Sequence, residues 1–299
     1  MTILITGATG LVGREIVKLC HSKGIIVHYL TSSRSKLNTE DNYKGFFWDI
    51  KSKEIDVACY RGVSAVIHLA GASISKRWTK SYKREVLDSR VESTRLLKES
   101  INANNIVIDH FISASAIGIY PSSSMNFYDE DHHKVSDSFL GDVVKQWEDA
   151  VDELKAKDRI VSKVRIGLVL SEKGGALPEI VKPVKIGFGA AFGTGEQWQS
   201  WIHVEDLAAI VIFILEQGLE GVYNAVAPNP VSNKELTKAV ADILNKPLFL
   251  PNVPQFMMQL ALGEMSMLLF ESQRVSSQKL ESEGFQFHFP NLRPTLENE

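Results

Sequence analysis

Near its start the chain reads Thr6-Gly7-Ala8-Thr9-Gly10-Leu11-Val12-Gly13. Glycines at this spacing can hold a phosphate without a charged side chain. Backbone N–H groups at a helix N-terminus point outward, and the helix dipole favours an anion there. Gly7 permits a tight turn, Gly10 lets the backbone approach a diphosphate with no Cβ in the way, and Gly13 allows close packing of helix on strand. Thr9, Leu11 and Val12 are counted with the glycines in the expected cofactor-binding set. A glycine triplet alone is weak evidence. Here an apolar strand precedes it and a helix follows, the context that points to dinucleotide binding.

A second chemical signal follows the next apolar run, which ends Leu30-Thr31-Ser32-Ser33-Arg34. A site that prefers NAD usually places Asp or Glu there to bind the ribose 2′-hydroxyl. This chain has no acid at that point. Ser33 and Arg34 suit the 2′-phosphate of NADP, because a guanidinium grips phosphate in a fork. NADP(H) is therefore the expected cofactor, with NAD(H) possible. Asp49, closing the third run, could accept from an adenine amino group or cap a helix. Leu69, Ala70 and Gly71 close the fourth run, and such small residues let a cofactor lie across the strand ends.

These residues need a frame. Apolar strands are expected at Thr2–Thr6, Ile25–Thr31, Gly45–Trp48, Ala65–Ala70, His110–Ser115 and Val164–Leu170, with helical stripes between them, strongest over Phe139–Leu154. Strands alternating with helices imply βαβ units and a parallel sheet covered on both faces. The expected fold class is α/β, a Rossmann-type doubly wound parallel sheet with a smaller, mostly helical C-terminal substrate lid. Residues 1–227 read as the NAD(P)-binding domain, with an inserted substrate loop at about 172–200, and residues 228–299 as the lid. Gly174–Gly195 reads as a long loop. Ser232 with Glu235 reads as a capping box.

Composition narrows the class. The chain has 299 residues, a net charge of −3 and two cysteines, Cys20 and Cys59. That balance argues against a nucleic-acid or anionic-membrane partner. Two cysteines build neither a disulfide framework nor a four-Cys zinc site. His132-His133 lacks a third ligand at metal spacing, so no metal is expected. No apolar run reaches the ~18 residues of a membrane span. A cytoplasmic protein acting on a small molecule is expected, and a homodimer is possible.

The motifs together resemble the extended short-chain dehydrogenases/reductases, and more closely an atypical group of NAD-dependent epimerase/dehydratase family proteins described as sugar-nucleotide-epimerase-like. The matching segments are the glycine loop, His68–Gly71, Ser89-Arg90-Val91 with Thr94, Ser113–Tyr120, Trp147-Glu148, Arg165–Leu170, Gln197–His203, Asn224–Val231, Gly263-Glu264 and Gln273–Val275. They span essentially the whole chain, and the C-terminal ones fall in a domain of unknown function. The resemblance implies an NADP(H)-binding oxidoreductase or epimerase-like enzyme acting on an unidentified carbonyl or sugar-like molecule. The alternative is a non-catalytic NADP(H)-binding sensor or partner-binding protein.

In that superfamily a Tyr and a Lys four residues apart on one helix move the proton. None of the seven tyrosines here has Lys four residues later. Anchored on Glu148, the expected helix carries Leu140 and Val144 at those two positions. Lys145 projects about 100° away from Val144. The resemblance places Ser115 where a Ser holds the substrate oxygen, and Tyr120 in the loop over the nicotinamide. Both are expected catalytic residues. Expected substrate contacts are Glu130, Gln197, Ser200, Trp201 and His203, although a capping or packing His203 is the plainer alternative. Arg90 and Arg165 could bind anions, but an internal ion pair is the expected role of each.

Overall fold

The computed structural model describes residues 1–298. In chain order the principal strands are β1 (Thr2–Thr6), β2 (Ile26–Thr31), β3 (Tyr43–Asp49), β4 (Val63–His68), β5 (His110–Ala116), β6 (Ile160–Ile166), β7 (Leu168–Ser171), β8 (Trp201–His203) and β9 (Gly221–Ala225). Seven of them form one parallel sheet in the order β3-β2-β1-β4-β5-β6-β9. The chain winds outward from β1 to one edge, returns to β4, and winds to the other edge. That is the doubly wound arrangement, and its switch point lies between β1 and β4.

The main helices are α1 (Leu11–Ser22), α2 (Lys80–Ala103), α3 (Phe139–Asp152), α4 (Leu177–Lys185), α5 (Val204–Gln217), α6 (Asn233–Ile243) and α7 (Gln255–Leu262). Alternation along β1 sorts the core. Ile3 and Ile5 pack with Ile16 of α1 and with Leu207, Val211 and Ile214 of α5. Leu4 faces the opposite layer, with Leu97 and Ile101 of α2 and Trp147 and Val151 of α3. This period of two is the strand's own geometry.

Two expectations need correction. The run Val164–Leu170 is not one strand: it breaks at Gly167 into β6 and β7. A Cβ at Gly167 would lie 2.4 Å from the Ser200 carbonyl oxygen and 2.8 Å from Val226 Cγ1. The chain leaves the main sheet there, and β7 pairs in parallel with β8. Nor is Gly174–Gly195 all loop, because it contains α4. Pro178 sits in the helix's first turn, where its missing N–H costs nothing. Leu177 and Val184 bury the apolar stripe against Val240 and Trp201.

The C-terminal residues fasten to the body. Arg274–Val275 pairs in parallel with Phe127–Tyr128, and Leu280 enters the core beneath α1 and α5. Asp206 of α5 accepts from the backbone N–H groups of His288 and Phe289. Among the described residues, no helix is long and apolar enough to cross a membrane.

Candidate functional site

The glycine loop lies at the switch point and opens α1. Gly7 has φ +74°, and a Cβ there would stand 3.1 Å from the carbonyl carbon and oxygen of Leu69. A Cβ on Gly13 would stand 2.2 Å from the Gly7 oxygen, so α1 can seat on the loop only without one. The Gly10 N–H donates to Gly7 oxygen at 3.0 Å. Side chains cap α2, α3, α5 and α6, whereas Gly10 begins α1 with no side-chain cap and no acid follows in the first turn. Donors at this helix start are left for a ligand. Arg14 Nε donates to the Thr9 oxygen, tying the loop's outer side to the helix. Leu11 packs against Gly174 and Gly175.

The ends of β1 and β4 are clamped together. The Thr6 hydroxyl accepts from the N–H groups of Leu69 and Ala70, each at 3.1 Å, and lies 2.7 Å from His68 Nδ1. Ser93 Oγ of α2 lies 3.1 Å from the other ring nitrogen. Burial pushes the His68 pKa down to about 3, so its ring is neutral at pH 7. The clamp holds Leu69, Ala70 and Gly71 beside the glycine loop.

At the end of β2, the Arg34 guanidinium lies 3.9 Å from the Phe47 ring centre, and its side chain is 70% exposed. Ser33 Oγ meets Ser35 Oγ at 2.9 Å. Arg34 Nη2 also lies 3.9 Å from Glu54 Oε1, a pair in which both side chains remain more than half exposed. Asp49 accepts from the Lys51 N–H and the Ser52 hydroxyl, and these bonds hold its carboxyl below the usual range. It organises a turn beyond β3.

A buried polar chain runs under the ends of β5, β6 and β9. Ser115 Oγ donates to Glu148 Oε1 at 2.6 Å. Arg165 grips the same carboxylate at 2.8 and 3.0 Å and donates to Tyr120 Oη at 2.9 Å. The Tyr120 hydroxyl donates to Asn224 Oδ1 at 2.7 Å. Asn224 N–H donates to Glu130 Oε1 at 2.7 Å on the outer edge of β9. Ser115, Tyr120 and Glu130 are therefore brought together, with Arg165 and Glu148 between them. Tyr120 has no exposed surface, and burial pushes its pKa up to about 12. It is a strut in the wall, rather than a phenol standing in an open loop.

The other expected substrate contacts also turn inward. Gln197 Nε2 donates to the Phe192 and Leu269 oxygens. Ser200 Oγ donates to the Gln273 oxygen and accepts from the Val275 N–H. Trp201 Nε1 donates to the Asn229 oxygen, and His203 caps α5 by accepting from the Glu205 N–H. These bonds serve the fold, and three of the four residues meet backbone carbonyls where a ligand was expected.

Leu140 and Val144, the α3 positions that the resemblance set against a proton-transfer pair, are 9% and 3% exposed. Next to the start of α3 lies a cavity of about 910 Å³, whose lining includes Ser122, Ser136, Ser138, Glu264, Phe270 and Glu271. Burial pushes the Glu271 carboxyl up, against the Ser138 hydroxyl that bonds it. The sequence does not single out Glu271, which falls between the matching segments Gly263-Glu264 and Gln273–Val275 and belongs to neither. Sequence inspection also misassigned Arg90, which has no carboxylate partner among the described residues. Arg165 does form the expected internal ion pair.

An uncapped glycine loop at the switch point of a doubly wound sheet defines a Rossmann-type protein built for a dinucleotide. The model of the NAD dependent epimerase/dehydratase family matches residues 3–137, and a domain of unknown function matches residues 253–299. The chain is 35% identical over 297 residues to epimerase family protein YfhF of Bacillus subtilis, covering 99% of this chain and 97% of the relative. It is 34% identical over 304 residues to the chloroplastic epimerase family protein SDR39U1 homolog of Arabidopsis thaliana, covering 99% and 86%. The crystal structure of human epimerase family protein SDR39U1 with NADPH superposes with a TM-score of 0.88 at 29% identity, covering 100% of this chain and 98% of that one. The chain belongs to this epimerase family.

Proposed function

We propose that the protein is an NADP(H)-dependent oxidoreductase or epimerase-like enzyme that acts on a small carbonyl- or alcohol-bearing molecule without a Tyr-x-x-x-Lys pair. The observation that carries this reading is the uncapped start of α1 against Gly7, Gly10 and Gly13, with Arg34 exposed at the end of β2. The human relative solved with NADPH supports the cofactor. When bound, the nicotinamide supplies hydride chemistry. The α1 amides hold the diphosphate, Ser33 and Arg34 the 2′-phosphate, and Leu69–Gly71 the ribose side. The substrate occupies the cavity of about 910 Å³ beside the start of α3.

Glu271 is the proton carrier in this reading, since burial keeps its carboxyl protonated to higher pH than usual. Glu271→Gln is expected to lower kcat about tenfold to a hundredfold and leave NADPH affinity within twofold. The wild type should lose activity as pH rises through the raised Glu271 pKa, and the variant should lack that limb. Rate–pH profiles check this, and an unchanged profile in the variant removes Glu271 from the proposal.

Arg34→Ala is expected to weaken NADPH about tenfold and leave NADH within twofold, because only the former carries the phosphate that pairs with the guanidinium. Calorimetric titration of both cofactors checks it. Tighter binding of NADH than NADPH to the wild type would end the selectivity argument.

The buried, aliphatic Leu140 and Val144 favour one second reading, a protein that binds NADP(H) and turns nothing over. Absorbance at 340 nm across a panel of carbonyl and sugar-nucleotide substrates separates the two. Cofactor oxidation by any member supports the enzyme, and tight NADPH binding with no turnover across the panel supports the sensor.

A further inference from the structure

We propose that the face formed by α7 and the two loops at 185–189 and 245–252 docks on an anionic lipid bilayer. Each loop carries a lysine three residues before a phenylalanine: Lys185 before Phe188, and Lys246 before Phe249. Among the described residues, neither lysine side chain enters an ion pair or a hydrogen bond. Phe188 is 65% exposed and Phe249 79%, and Ile186, Leu248 and Leu250 are exposed beside them.

The two loop tips are neighbours. A Cβ on Gly189 would stand 2.8 Å from Leu248 Cδ2. The Val253 N–H donates to the Ala191 oxygen at 2.8 Å, and the Gly193 N–H donates to the Val253 oxygen at 2.9 Å. Pro254 then starts α7, which buries none of its residues. That helix is amphipathic in the reverse of the usual sense. Gln255 and Gln259, four residues apart, line the cavity of about 910 Å³. Phe256, Met257 and Leu260 are exposed instead. A surface helix ordinarily turns its apolar stripe inward and its polar stripe to water. Single exposed apolar side chains need no explanation, but a contiguous group of them marks a contact surface.

Charge selects the occupant. From Pro247 to Gly263 the chain has no charged residue, nor has it one from Ile186 to Ala190. Lys185 and Lys246 are therefore the charges of this face, while Lys182, one turn back in α4, is already paired with Glu179. The net charge of −3 belongs to the whole chain, and here the local sign is positive. A second copy joined by a two-fold axis would present the same patch. Its lysines would then meet apolar carbon or each other, with no acid in these segments to receive them. A bilayer surface offers both halves of what the face lacks. Acyl carbon accepts the phenylalanine and aliphatic tips, and anionic headgroups meet the ammonium groups, whose stems cross the boundary.

The test is cosedimentation of the full chain with two kinds of vesicle: phosphatidylcholine alone, and phosphatidylcholine with phosphatidylserine at about three to one. The wild type is expected to bind the anionic vesicles and to leave the neutral ones largely bare. Phe188→Ser and Phe249→Ser should each weaken that binding about tenfold. The double variant Lys185→Gln with Lys246→Gln should weaken it about 10- to 30-fold. All these side chains are exposed, so melting midpoints should stay within about 2 °C of wild type. No binding to anionic vesicles overturns the proposal, and so does equal binding to both compositions. Serine variants that bind as the wild type does also overturn it. If a serine variant does not fold, the lysine pair carries the test, and full retention there overturns it. A dimer formed without lipid and dissolved by Phe249→Ser assigns the face to a second copy, which overturns it as well.

Discussion

Gly10→Asp is expected to abolish NADP(H) binding and leave the protein as stable as before. The two outcomes diverge although one feature, the uncapped start of α1, underlies both. Gly10 has φ −77°, which any residue adopts, and a Cβ there meets only the Gly7 oxygen, at 3.2 Å. Asp is a better N-cap than Gly by a few tenths of a kcal/mol, and its charge suits the helix dipole. The same carboxylate then occupies the donors that a diphosphate needs and repels its charges from a few ångströms away. At an effective dielectric near 20 that repulsion amounts to about 4 kcal/mol or more, a thousandfold or greater loss of affinity. Titration with NADPH, together with a melting curve, reads both effects. Retained binding in a folded Gly10→Asp protein would remove the glycine loop from the proposed site.

Glu148→Gln is expected to give the largest loss of stability. Burial opposes ionisation of Glu148, but bonds and charge from Arg165, the Lys163 charge and the Ser115 hydroxyl outweigh it and hold the carboxyl below its usual range. Removing the charge leaves Arg165 buried without its partner, a change that costs about 3–5 kcal/mol. For a chain of this size the midpoint should fall by roughly 10 °C. The pH dependence follows from the lowered pKa. The folded protein holds this carboxylate ionised to lower pH than the unfolded chain, so its contribution is complete above the unfolded value of 4.5 and fades as pH falls through the folded value. The gap between wild type and variant should be full at pH 7 and shrink below about pH 4. Denaturant titrations at several pH values measure it. A constant gap would mean that Glu148 acts through shape rather than charge.

Much of the frame could be read from residue order. The alternation of Ile3, Leu4 and Ile5, the glycine loop and the Ser232–Glu235 capping box are local signals with local causes, and the structure repeats them. The break at Gly167 was not legible, because its cause is the Ser200 carbonyl, 33 residues away and brought close only by folding. The site was harder still. Sequence alone names Ser115, Tyr120 and Arg165 as polar residues near strand ends, but whether each meets ligand or protein depends on Glu148 and Asn224, which lie on other elements. Gln197, Ser200 and Trp201 carry donors suited to a ligand, and folding directs those donors to backbone atoms of later segments. Arg90 shows the converse: the expected ion pair is absent among the described residues, and its guanidinium donates to the main-chain oxygens of Ala72 and Val86, a partner choice set by how the β4 turn meets α2.

The seam between Gln197, Ser200 and the chain near residue 273 has one further consequence. Those two side chains bond to the main-chain oxygens of Leu269 and Gln273 and to the main-chain N–H of Val275, and any amino acid other than proline at position 275 would offer the same atoms. Met267, Phe270 and Glu271, which help line the cavity, sit on that same stretch. Replacing them reshapes the chamber and leaves the attachment intact, so one scaffold can be refitted for molecules of different outline without being rebuilt.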